Sequence, residues 1–152
     1  MRFLTRAKHH ALGLLLGSRY LMRLAPGERR LALTFDDGPD PVHTPPVLDL
    51  LARHGATATF FVLGGRADLQ PALVRRIVDE GHEIANHSQR HRAFADMPVA
   101  AQLAEIDEAD AVLRRYSPQP RFWFRPPQGR LPLSLAIALA RRRHPVAMWS
   151  LD

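Results

Sequence analysis

Asp36 and Asp37 stand side by side after the apolar run Leu31-Ala-Leu-Thr-Phe35, and Gly38-Pro39 follow at once. The run reads as a short buried strand, Leu31–Phe35, that ends in two carboxylates. Adjacent carboxylates repel each other and gain nothing in packing. A metal ion or a catalytic proton transfer is the usual compensation. A polar turn after a strand is the plainer reading, since Asp-Gly and Gly-Pro are common turn pairs.

His87 and His91 follow a second strand-like run, Glu83-Ile-Ala-Asn86. Two imidazoles four residues apart can face one way on a single helical turn. With a carboxylate from elsewhere they would make a His2Asp set that leaves a position open for water. Taken alone, such a pair also fits a solvated surface. A third segment, Arg121-Phe-Trp-Phe-Arg-Pro-Pro-Gln-Gly129, is an aromatic run with a stiff ending. Pro126 and Pro127 restrict the loop, Gly129 permits a close approach or positive φ, and Arg125 could clamp a carboxylate with its fork. A proline-rich turn with a solvated arginine would look the same.

In this order, Thr34-Phe-Asp-Asp-Gly-Pro39, His87-Ser-x-x-His91 and Arg125-Pro-Pro-x-Gly129 resemble the polysaccharide deacetylase family, which carries the NodB homology domain (carbohydrate esterase family 4). Trp149-Ser-Leu-Asp152 is similar to the start of the family's next motif. The resemblance runs from about Arg29 to the last residue. It implies a distorted (β/α) barrel with fewer than eight strands, of which about five βα units would be present. It also implies hydrolysis of an N-acetyl group on an amino sugar of a chitin-like or peptidoglycan-like glycan.

Carried over, Asp37, His87 and His91 hold one divalent ion, zinc in first place, with cobalt or nickel as alternatives. Asp36 becomes the general base and Arg125 orients it. A backbone N–H in the Pro127–Gln128 loop, that of Gln128, faces the oxyanion. Two departures stand out. Position 128 is often aromatic in the family and is Gln here. The family also continues to a later Asp-Trp and a Leu-x-His segment whose histidine is the general acid. The expectation is therefore a C-terminally incomplete domain that keeps metal binding but turns over weakly, with Asp152 a weak further candidate. Hydrolysis of another amide or imide, or non-catalytic metal or glycan binding, are the alternatives.

These groups need a frame. Helix-like segments over 46–54, 71–80, 98–116 and 132–143 alternate with strand-like ones over 56–63, 82–86, 122–124 and 146–151. Such alternation predicts a parallel sheet covered by helices. Sites in such folds form at the C-terminal ends of strands. In the 98–116 helix, Leu103, Ile106, Ala109, Ala111 and Leu113 suggest an apolar face over acidic residues. His43, His54 and His82 read as surface or turn residues, and Trp123 and Trp149 as core.

The chain has 152 residues, enough for one core, and no cysteine, which excludes disulfides and thiolate metal sites. Its net charge of +6 lies wholly in residues 1–30, while the rest is balanced. The globular part therefore carries no charge signature of a nucleic-acid groove. Residues 1–28 read as a basic arm and 29–152 as the deacetylase-like domain. Leu12, Leu14, Leu15, Leu16, Leu21 and Leu24 among the arginines suit an amphipathic helix on an anionic membrane surface. A signal peptide, or a helix packed on the domain, are the other readings. A cytoplasmic or membrane-associated location is expected over secretion.

Overall fold

The computed structural model describes residues 2–24, 27 and 30–151, with the side chains of the first helix described from His9 onward. Asp152 lies outside the described residues. Helix α1 spans Arg2–Leu16 and leads to a two-residue strand β1, Tyr20–Leu21. Then follow β2 (Thr34–Gly38), α2 (Thr44–Arg53), β3 (Thr59–Val62), α3 (Gly64–Leu69), α4 (Pro71–Asp79) and β4 (Glu83–Asn86). Helix α5 (Val99–Leu113), α6 (Leu133–Arg142) and β5 (Val146–Ala147) complete the order.

β2, β3 and β4 pair in parallel, and so do β1 and β5. Single parallel bridges from Asn86 to Phe124 and from Phe124 to Val146 join the two groups. The 122–124 segment is therefore one bridge residue rather than a full strand, and the last strand is two residues rather than six. Both shortfalls follow from sparse pairing. Phe124 N–H donates to Pro145 and Ala147 N–H to Phe124, with few rungs beyond these.

The first strand also differs from expectation. It begins at Thr34, and Leu31 is 73 % exposed. Its partner fixes the start, because Thr34 pairs with Thr59 at the head of β3. The strand then continues past both aspartates, which have no partner in the ladder, to Gly38, which pairs with Val62. Gly64 and Gly65 do not merely end β3. They open α3, which has no counterpart among the sequence segments because it is only six residues long.

The strands' outer side chains Phe60, Val62 and Ile84 pack with Leu48 of α2, Ile77 of α4 and Leu113 of α5. Leu135 and Leu139 of α6 form a second cluster with Phe124, Val146 and Leu12 and Leu16 of α1. The N-terminal helix thus packs on the domain, although Leu14 remains 76 % exposed. Helix α5 departs most from an amphipathic pattern: Gln102, Glu105 and Asp110 are buried on it, while Ala111 faces out.

Candidate metal and catalytic centre

The two aspartates sit on a β-bulge. Phe35 pairs with Phe60 and Gly38 with Val62, so three steps on β2 match two on β3. Neighbouring residues of a regular strand point to opposite faces, and a bulge re-aims one of them. Asp37 takes φ 66 here, a left-handed backbone uncommon for a non-glycine residue. Its carbonyl accepts a hydrogen bond from Arg66 Nη1 of α3 at 2.8 Å. One carboxylate can then face Arg125 and the other the histidines.

Asp36 Oδ1 accepts from Arg125 Nη1 at 2.6 Å. The guanidinium is buried at 3 % exposure and donates also to Thr34 Oγ1 (3.0 Å), the Met148 carbonyl (3.0 Å) and the Ala147 carbonyl (3.3 Å). Its carbon lies 3.8 Å from the Phe61 ring centroid and 5.4 Å from that of Trp149. Burial lowers the Arg125 pKa, and the Asp36 charge opposes that shift. Trp149, expected in the core, is only half-buried and lies against Gly129, where a Cβ would come within 2.5 Å of its ring.

Asp37 Oδ1 lies 3.4 Å from His87 Nε2 and 3.2 Å from His91 Nε2. One donor atom from each of the three residues falls within 4.8 Å of the others, and no other such group occurs among the described residues. Donors about 2.0–2.1 Å from a tetrahedral ion stand about 3.3 Å apart, so these separations fit a small divalent cation. The His87 Nδ1–H donates to the Arg125 carbonyl at 2.8 Å, which turns Nε2 toward Asp37. Burial is the main reason that the His87 pKa lies below its usual value, ahead of the opposing charge of Asp36. A neutral ring is the form that can bind a cation.

The histidines do not share a helical turn. Residues 87–91 form a loop in which Ser88 (φ 75) and His91 (φ 53) are left-handed. Ser88 Oγ accepts the His91 N–H at 3.1 Å. Gly64 and Gly65 N–H groups donate to the Ser88 and Gln89 carbonyls, each at 3.0 Å. Two chain reversals, rather than 3.6-residue periodicity, bring the rings to a centroid separation of 5.1 Å.

Pro127 is buried, and Gln128 is exposed in a tight turn with φ 57. An open cleft of about 250 Å³ beside the carboxylates is lined by Asp36, Asp37, Asp40, His43 and Arg66, among others. Asp40 accepts from the Val42 and His43 N–H groups and from the His43 ring, and these bonds hold its pKa below the usual carboxylate value. His43 is thus a surface residue, whereas His82 is buried against Phe60 rather than exposed.

Residues 23–145 match the family described as polysaccharide deacetylase. The chain belongs to this family. It is 41 % identical over 128 residues to a chitooligosaccharide deacetylase of a Bradyrhizobium strain, covering 83 % of this chain and 58 % of that protein. It is 36 % identical over 123 residues to a peptidoglycan-N-acetylglucosamine deacetylase of Bacillus cereus, covering 81 % and 57 %. A crystal structure of a peptidoglycan N-acetylglucosamine deacetylase superposes with a TM-score of 0.84 at 34 % identity, covering 88 % of this chain and 63 % of that one. The fold is accordingly the α/β, barrel-like one of the polysaccharide deacetylases, and the chain spans somewhat more than half the length of these relatives.

Proposed function

We propose that this deacetylase-family chain serves a metal-dependent hydrolase that removes N-acetyl groups from an amino-sugar polymer or oligosaccharide. One observation carries the reading: donor atoms of Asp37, His87 and His91 lie within 4.8 Å of one another, and a separately anchored carboxylate, Asp36, stands next in sequence. The named activities of the similar proteins support it.

Asp37, His87 and His91 would hold a divalent ion, with zinc the best fit to a His2Asp set. When bound, such an ion polarises an amide carbonyl and acidifies water. Asp36 accepts the proton of the attacking water, a step worth about 10²–10⁴-fold in typical enzymes. Arg125 orients that carboxylate through the 2.6 Å bond. The Gln128 N–H is assigned to the oxyanion, where one such donor contributes about 3 kcal/mol.

Asp36→Asn is expected to cut acetate release from N-acetylated chito-oligosaccharide at least about 100-fold, while zinc affinity stays close to that of the parent. Zinc affinity lost with Asp36, or acetate release indifferent to it, would defeat the assignment. Small cyclic imides assayed in parallel discriminate the amide and imide alternatives. The arm is assigned to an anionic membrane surface, at the cytoplasmic or membrane-associated location expected above. In its support, Leu14 and Leu15 are exposed on α1 and Arg19 and Arg23 are exposed beyond it. Co-sedimentation with phosphatidylserine vesicles, weakening with salt, is the expected result, and no binding at low salt removes the assignment.

A further inference from the structure

Helix α5 lies behind the His87–His91 loop and turns two carboxylates toward it. Glu105 and Asp110 are each only 3 % exposed. Burying a carboxylate costs several kcal/mol unless it is paired and hydrogen-bonded. An apolar residue at either position would avoid that cost, so the pattern calls for a specific partner.

Each carboxylate holds one end of the loop. Glu105 Oε2 accepts the Arg90 N–H at 2.8 Å, immediately before His91, and its Oε1 accepts from Arg90 Nη1 at 2.9 Å. Asp110 Oδ1 accepts from Asn86 Nδ2 at 2.7 Å, immediately before His87. Arg114 and His144 lie 3.4 and 3.5 Å from Asp110 Oδ2, so the residue that ends α5 and the segment between α6 and β5 flank that carboxylate in turn.

The Asn86 amide is fully buried and completely committed. Its Nδ2 also donates to the Ile106 carbonyl at 2.9 Å, and its Oδ1 accepts the Ser88 N–H at 2.7 Å. That last bond holds Ser88 in its left-handed conformation, the reversal that separates the two imidazoles along the chain. Asp110 is therefore joined to Asn86 and the Ser88 N–H, which flank His87 on both sides, by a short series of satisfied bonds among buried groups, where each is stronger than in water.

We propose that Glu105 and Asp110 are positioning residues that preset the angle between the His87 and His91 rings and so set the metal affinity of the site. The inference rests on the metal reading of Asp37, His87 and His91. Partners behind metal ligands of this kind typically change metal affinity about 10–100-fold when removed.

The test is a zinc titration of the full chain against a competing chelator, at a temperature where circular dichroism shows each variant folded. Asp110→Ala and Glu105→Ala are each expected to bind zinc about tenfold more weakly. Asp110→Asn and Glu105→Gln keep an oxygen acceptor in place and are expected to recover most of the affinity. A purely structural role would lower the melting temperature of the metal-free chain and leave zinc affinity unchanged, and that result overturns the proposal. Amide variants as weak as the alanine ones also overturn it. Should an alanine variant not fold, Asn86→Asp takes its place, because it removes the donor to Asp110 and sets two carboxylates together. Weakened zinc binding there supports the proposal and parent-like binding refutes it. No zinc binding by the unaltered chain would sink the metal reading and this proposal together, whereas tight binding by both alanine variants sinks this proposal alone.

Discussion

A single guanidinium joins both halves of the sheet. Arg125 reaches Thr34 and Asp36 on β2 and the Ala147 and Met148 carbonyls at β5, while Phe61 stacks on its face. Lysine offers a point charge and cannot spread donors over that fork. Arg125→Lys is therefore expected to lose about 2 kcal/mol of stability, the order of one or two charged hydrogen bonds. Urea unfolding would read it, and a loss below about 0.5 kcal/mol, the ordinary effect of a surface change, would contradict the fork's role. The segment Arg-Pro-Pro-x-Gly was legible as a stiff loop with a clamp. The clamp's partner was legible only through the family resemblance, since the contact spans 89 positions of sequence.

At the scale of elements, the glycine pair after β3 decides how close the histidine loop can come. A Cβ on Gly64 would stand 1.9 Å from Gln89 Oε1 and 3.0 Å from the Ala109 backbone of α5. Gly64→Ala must displace both, at a cost of about 1–3 kcal/mol for overpacking. It should also weaken zinc binding, because the same glycine donates to the Ser88 carbonyl. A variant that unfolds in urea and binds zinc like the parent would mean that the loop keeps its shape without α3. In sequence, Gly64-Gly65 reads as a strand stop. Its second task was hidden because it depends on residues 88, 89 and 109. The inward acids of α5 were hidden for a related reason. Charge is assigned to the wet face of a helix by default, and only partners distant in sequence, the buried Asn86 and the exposed Arg90 among them, make Glu105 and Asp110 exceptions.

Over the whole molecule, the N-terminal segment is part of the domain's packing. Leu12 and Leu16 are buried with Leu135 and Leu139, and Tyr20 pairs with Val146. Burial raises the Tyr20 pKa from 10.0 to about 12. A neutral phenol favoured by folding contributes stability fully below pH 10.0 and loses it as pH rises through about 12. In a Tyr116→Phe background, ultraviolet titration should place the Tyr20 midpoint near 12. A midpoint near 10 would mean that β1 is not docked in solution. Docking leaves Leu14 and Leu15 exposed.

Taken by itself, the chain determined the main alternation of strands and helices, short of β1 and α3, the charge concentrated in its first 30 residues, and the identity of the groups with chemistry to offer. Those properties are local: periodicity, turn residues and composition act over a few positions. The bulge that re-aims one of Asp36 and Asp37, the left-handed turns that converge His87 and His91, and the buried acids behind them were decided only by tertiary structure. Each arises from pairing or burial between residues distant in sequence, where a neighbour's backbone, not the residue's own preference, selects the conformation.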